Sequence, residues 1–386
     1  MACYRLAKLL INQGQQVSIL TTKRDKEVNG DFLFYEAPIL EDYLGKIGRA
    51  LKTFIPFDPI SGFSSFNILN RTKPDILHLH NFNILSFSLI HSAQILGIPI
   101  LISIYDYWYF CPKRTLLDNK GRFCRRRDES LCLNCFPGFL QKVSVITRRR
   151  FFDYFLNKVD TFIVLSQSSA NILQDYGIKR EKIRAVPLPL LNDVTDIHSD
   201  MEENSILFVG WIHPHKGLHI LLKAMPEILK EIPQTKLYVL ETGVEKSYKK
   251  YILESIKELG LDGHIFMFGK QSLKKVKEFM QKVSVVAIPE QWENMLPLVL
   301  AEAMSLAKPI IASRIGGIPE FIEDGKSGSL VNPKKSSEFS EKIIWLLKNK
   351  GSATEMGKEA RYSAIRIFNE GTIVQKLLDI YQSIKK

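Results

Sequence analysis

The sequence predicts two doubly wound, Rossmann-type α/β domains facing a central cleft. Three observations lead there. The chain has 386 residues, 45% hydrophobic and 24% charged, which is room for two ordinary globular domains. Short β-rich runs alternate with helical stretches along both halves, and the runs are compactly apolar, as suits parallel strands covered on both faces. A proline-bearing and then polar segment, PLPLLNDVTDIHSD, separates the two series.

In chain order, the first series places strands at residues 17–21, 75–79, 99–104, 161–165 and 183–187. Helical stretches at 2–13, 84–96 and 139–157 lie between them. The second series places strands at 206–209, 236–240, 264–268, 284–288, 309–312 and 328–331. Its helices fall at 218–230, 248–259, 273–281 and 298–306. The expected organisation is a first domain over 1–190, a linker over 191–203 and a second domain over 204–365. A C-terminal helix over 366–386 is expected to pack back toward the first domain. Ligands of open α/β sheets bind beyond the carboxyl ends of the strands, so the cleft is where chemistry is expected.

Several classes fall away. No run reaches the roughly 18 apolar residues of a spanning helix, and the N-terminus lacks a signal-peptide pattern, so the expected location is the cytoplasm. Neither GxxxxGK[ST] nor GxGxxG follows a strand, and HExxH and GxSxG are absent. The net charge is +12. Residues 1–190 hold 26 Lys and Arg against 16 Asp and Glu, and residues 111–150 alone hold 11 against 3. Such a patch suits an anionic membrane surface or a phosphorylated substrate, or is simply a solvated face. No helix-turn-helix or RNA-binding signature supports nucleic acid.

Two segments of the second half carry chemistry. In ILFVGWIHPHKGLHILLKAM, Gly210 is expected to end a strand and Lys216-Gly217 to open a helix, where a lysine can lean toward bound phosphate. The plain alternative is a solvated lysine. In PEQWENMLPLVLAEAM, a helix is expected to start near Pro297 and Leu298, presenting free N–H groups to an anion. Glu302 lies within that apolar helix and needs partners, either ribose hydroxyls or nearby backbone.

These segments together resemble the nucleotide-binding domain of the family 4 glycosyltransferases, retaining enzymes of two-domain GT-B fold. The likeness covers nearly the whole chain and is most specific over residues 285–333. It implies a nucleotide-diphosphate sugar donor, a glycan or lipid-linked acceptor and no catalytic metal. Lys216 matches the family's phosphate lysine, and Glu302 matches the ribose glutamate of its Glu–seven residues–Glu hallmark. The first hallmark Glu is one residue out of register, so either Glu293 or Asn294 takes the donor sugar. Trp211 stands where the family has an arginine.

The first half resembles the acceptor side of the same family. In PDILHLHNF, His78 and His80 occupy alternate strand positions and so face one side. SIYDYWYFC resembles a subgroup reading His-Asp-Tyr-Trp, whose histidine lies at the sugar end of the cleft; here that residue is Tyr105. Relatives begin with a strand and a Gly-Gly loop before a helix like the one around Tyr4, so the resemblance implies one further strand ahead of Met1. Cys111, Cys124, Cys132 and Cys135 follow with spacings 12, 7 and 2. Structural zinc and reduced, unliganded thiols both fit this pattern, and a reducing compartment disfavours disulfides.

The expectation is therefore a retaining glycosyltransferase of polysaccharide or glycolipid synthesis, peripheral to the inner membrane face. The alternatives are a nucleotide-sugar binder without turnover and a sugar-nucleotide epimerase.

Overall fold

The computed structural model describes residues 2–22, 32–54, 57–80, 85–125, 129–136, 138–189 and 202–385. The chain divides into two compact units. One combines Met1–Leu188 with Glu370–Lys386, and the other is Pro189–Asn369.

The first unit runs α1 (Ala2–Asn12), β1 (Ser18–Thr21), β2 (Leu33–Glu36), α2 (Leu40–Phe54, bent at Gly45), α3 (Pro59–Thr72), β3 (Leu77–Leu79), α4 (Ser88–Ile95), β4 (Ile100–Ser103), α5 (Glu129–Asn134), α6 (Phe139–Leu156), β5 (Thr161–Val164), α7 (Gln167–Asp175) and β6 (Ile183–Ala185). Strands β3-β4-β5-β6 make a parallel sheet in that order. Every residue of β4 and β5 is buried, which is why both read as unbroken apolar runs. The expected strand at 17–21 forms, but it pairs with β2 in a separate parallel ribbon. The four-residue β2, LFYE, is too short to stand out as a periodic signal.

The second unit runs β7 (Glu202–Ile212), α8 (Leu218–Glu231), β8 (Lys236–Val244), α9 (Lys246–Glu258), β9 (Ile265–Phe268), α10 (Leu273–Lys282), β10 (Val283–Ile288), α11 (Leu298–Ser305), β11 (Ile310–Ser313), β12 (Ser329–Val331), α12 (Ser336–Lys348) and α13 (Lys350–Ile367). Its six parallel strands lie in the order β12-β11-β10-β7-β8-β9. Leu218, Leu221, Leu222 and Met225 of α8 pack with Ile206, Phe208, Leu237 and Val239 of the sheet. Each such side chain, fully buried, contributes about 1.5–3 kcal/mol of transfer free energy.

Strand β7 extends beyond the expected 206–209 because β8 pairs with it from Ser205 to Ile212, across a register shift between Gly210 and Trp211. Gly210 therefore lies inside the strand rather than ending it. The expected linker falls outside the described residues up to 201, and Glu202 and Glu203 already belong to β7. After α13 the chain enters α14 (Glu370–Ile384), which packs on α1. Ile373, Leu377 and Ile380 join Leu6, Leu10, Leu101 and Ile163 in one buried cluster of the first unit.

Candidate active site

The strand order of the second unit reverses between β7 and β10, so the loops leaving their carboxyl ends diverge and open a crevice. Two glycines lock those loops together. Gly217, at φ 76°, joins the 3₁₀ turn Pro214–Lys216 to α8, and a Cβ there would overlap the Pro289 carbonyl. Gly316, at φ 59° in the loop after β11, would overlap the Asn294 carbonyl in the same way. Backbone bonds complete the stitching: Gln291 N donates to His215 O at 2.8 Å, and Gly317 N to Asn294 O at 2.8 Å. Only glycine permits both the left-handed φ and the close approach.

At the centre of these loops sits Glu290, 2% exposed. Its Oε1 accepts from Lys216 Nζ at 2.5 Å and from Asn294 Nδ2 at 3.0 Å, and its Oε2 accepts from Trp292 Nε1 at 2.5 Å. The Lys216 ammonium also stands 5.6 Å from the Trp292 ring centroid. Beside it the Nδ1 atoms of His213 and His215 lie 2.5 Å apart, within hydrogen-bond reach. Burial, the Lys216 charge and the neighbouring His213 hold His215 down to about 3, so it is neutral. Trp211, 41% exposed, lays its ring 4.9 Å from that of His213.

Helix α11 starts at Leu298, which is 54% exposed, and Pro297 caps it in extended conformation instead of occupying the first helical turn. Glu302 sits half-buried in its second turn. Burial pushes its carboxyl up from the ordinary range, against the opposing charge of Lys277. Among the described residues its carboxylate makes no hydrogen bond, so the backbone alternative is not realised. Glu293 is half-buried, whereas Asn294 is 7% exposed with its amide engaged by Glu290.

A second polar group lies in the first unit, at the carboxyl ends of β3 and β4. His78 Nε2 meets Ser103 Oγ at 2.8 Å, its Nδ1 meets Tyr381 Oη at 2.7 Å, and His80 Nδ1 meets Tyr105 Oη at 2.6 Å. The two imidazoles lie on the same side with ring centroids 4.1 Å apart, tilted by 31°. Burial lowers His80 to about 4 and His78 well below its usual value, and raises the Tyr105 phenol. Tyrosine is thus held neutral here.

The four cysteines are half-buried thiols. They lie close enough that Cys111, Cys132 and Cys135 all reinforce the effect of burial on Cys124, raised to about 11. Burial raises the Cys111 thiol too, against the opposing pull of the Leu116 and Lys113 backbone N–H groups. Yet among the described residues no three His, Cys, Asp or Glu side chains stand where they could hold a metal ion together.

The basic segment is also less available than its count suggests. Arg148 turns inward, its guanidinium 4.5 Å from the Trp108 ring centroid and 4.6 Å from that of Phe152, and donates to the Trp108 carbonyl. Arg122 pairs with Asp118 at 2.8 Å, and Arg126 and Arg127 lie outside the described residues.

Sequence reasoning missed Glu290, His213, His215 and Tyr381. An acidic residue directly after the apolar run of β10 was the available signal for Glu290. Nothing in the sequence tied Tyr381 to His78.

Comparison with known proteins agrees in kind along the chain. Residues 1–190 match the family model described as Glycosyltransferase Family 4, and residues 193–363 match Glycosyl transferases group 1. The chain is 28% identical over 221 residues to an uncharacterized glycosyltransferase of Methanocaldococcus jannaschii, covering 56% of this chain and 58% of that protein. It is 21% identical over 386 residues to the N-acetyl-alpha-D-glucosaminyl L-malate synthase of Bacillus anthracis, covering 98% and 92%. Across the first three curated relatives it matches, the chain spans about half of their length, at 58%, 48% and 39%. In fold it resembles Anabaena HepE, solved with UDP, with a TM-score of 0.67 at 18% identity over 91% of this chain and 86% of that one.

Proposed function

We propose that the chain, which matches Glycosyltransferase Family 4 over residues 1–190 and Glycosyl transferases group 1 over residues 193–363, is a GT-B glycosyltransferase that moves a sugar from a nucleoside-diphosphate sugar to an acceptor hydroxyl with retention. The observation that carries this reading is Glu302. It is a half-buried carboxylate that makes no hydrogen bond among the described residues, on the helix whose amino end opens onto the crevice holding Lys216. A carboxylate partly withdrawn from water gains from hydrogen-bond donors, and the paired hydroxyls of a ribose supply two.

In this reading the diphosphate lies between Lys216 and the N–H groups at the start of α11, beside Gly210, Gly217 and Leu298. As the bond from the sugar carbon to the phosphate oxygen breaks, negative charge grows on the diphosphate. Lys216 and the helix amides stabilise it. The acceptor oxygen bonds to that carbon on the same face, and its proton passes to the departing phosphate. Glu293 orients the sugar hydroxyls, because the amide of Asn294 is already engaged by Glu290. In the first unit Tyr105, hydrogen-bonded to His80, is the proposed contact for a sugar or phosphate group. The protein acts in the cytoplasm, at an anionic membrane face bearing a lipid-linked or glycan acceptor.

UDP-bound HepE makes UDP the first nucleotide to test. Incubation with a panel of UDP- and GDP-sugars plus acceptor should release free nucleotide, with the anomeric configuration kept in the product. By calorimetry, Lys216→Ala and Glu302→Ala should each weaken UDP binding severalfold. Unchanged affinity in both variants would remove the site assignment. Isomerised sugar without free nucleotide would mean an epimerase.

A further inference from the structure

We propose that Glu290 is a positioning residue which holds Lys216 and Asn294 in place for transfer while weakening the binding of the diphosphate itself. This rests on the donor site assigned above. A single buried carboxylate there receives the phosphate lysine, the loop asparagine and the indole of Trp292, at 2.5, 3.0 and 2.5 Å.

The pair is asymmetric in a useful way. The Glu290 side chain is 3% exposed and that of Lys216 is 22% exposed. One N–H of the ammonium is therefore directed inward to the carboxylate, and the two others remain for a ligand oxygen on the open side. A buried carboxylate that loses the cation paired with it is left at a large desolvation cost, so the pair has every reason to persist when a diphosphate arrives. Lys216 then bridges carboxylate and phosphate with its direction fixed.

The same pairing removes charge from the phosphate end. Lys216 and Glu290 sum to zero, His215 is neutral, and Trp211 stands at the end of β7 with no charge to offer. A fixed carboxylate one ammonium away from an anion opposes its binding. What the arrangement gains is orientation: the same Glu290 oxygen that aims Lys216 also anchors Asn294, whose neighbour Glu293 faces the donor sugar in the reading above. An amide in place of the carboxylate turns an N–H₂ toward one of these donors and cannot hold all three.

The test is a cycle of Lys216→Met, Glu290→Gln and the double variant, with UDP affinity by calorimetry, turnover with the best donor sugar and melting temperature. Glu290→Gln should bind UDP about tenfold more tightly through the unmasked lysine, while kcat falls about tenfold or more. Lys216→Met should cost about threefold in UDP affinity in the parent and about thirtyfold when Glu290 is glutamine. Equal cost of Lys216→Met in both backgrounds, or weaker UDP binding by Glu290→Gln, would overturn the proposal, because a purely structural carboxylate behaves that way. If Lys216→Met leaves UDP binding untouched in both backgrounds, the donor-site reading itself is wrong, whatever Glu290 does. Should Glu290→Gln not fold, Glu290→Asp decides. It keeps the charge and shortens the reach, so UDP affinity should stay within about twofold while kcat falls about tenfold. Parallel loss of both, or of neither, would again overturn it.

Discussion

Tyr381 Oη lies 2.7 Å from His78 Nδ1, across a sequence separation of 303 residues. The bond ties the last helix of the chain to the third strand of the first unit. Its chemistry follows from burial: neither imidazole has water to solvate a positive charge, so both are held neutral.

The first prediction concerns that pair. By proton NMR, His78 and His80 should show no titration between about pH 7 and pH 5, because their folded values lie below the ordinary 6.5. The sign for stability is fixed by the same shift. The unfolded chain takes up protons as pH falls below 6.5, while the folded His80 waits until about 4. These histidines therefore contribute no loss above pH 6.5, and a growing loss as pH falls from there toward 4. Replacing Tyr381 with Phe should lower stability by about 1 kcal/mol through the lost hydrogen bond. Imidazole signals that titrate near 6.5 would contradict the burial.

Gly217→Ala and Gly316→Ala should each lower the melting temperature and abolish nucleotide binding together. Each places a Cβ against a carbonyl at a positive φ, so backbone strain of about 1–2 kcal/mol adds to a steric overlap that requires the loop to move. Gly14→Ala is the control. It also has positive φ, 76°, but has no atom within 4 Å of the added methyl, so only the strain should appear.

Cysteine alkylation offers a third check. Burial and the three neighbouring cysteines raise the Cys124 thiol to about 11, and burial also raises Cys111. Iodoacetamide should react slowly with both at pH 7.5, with a rate rising about tenfold per pH unit up to about pH 10. Fast reaction at neutral pH, or release of one zinc per chain as the thiols are blocked, would show that they are held as thiolates.

Membrane docking should follow the exposed arginines and not the arginine count. Arg125 and Arg150 are exposed, so Arg125→Glu and Arg150→Glu should reduce co-sedimentation with anionic vesicles, by about 1 kcal/mol per charge. Arg148→Ala should leave co-sedimentation unchanged and lower the melting temperature instead, because its guanidinium is packed on Trp108 and Phe152. Equal recovery with neutral vesicles would count against an electrostatic contact.

The sequence by itself determined the layered α/β architecture, since compact apolar runs such as Ile100–Ser103 and Thr161–Val164 are stable only as strands covered on both faces. It also singled out Lys216 and Glu302 as candidates for phosphate and ribose contacts. Tertiary structure alone decided what those residues touch. The Glu290 carboxylate meets Lys216, 74 residues away in sequence, because the strand order of the second unit brings β7 and β10 side by side. The same kind of closure turned Arg148 inward, so that its guanidinium donates to the Trp108 carbonyl. Spacing along a chain constrains which side chains share a face. Which partner waits on that face is set by elements far away in sequence, through the packing that buries them together.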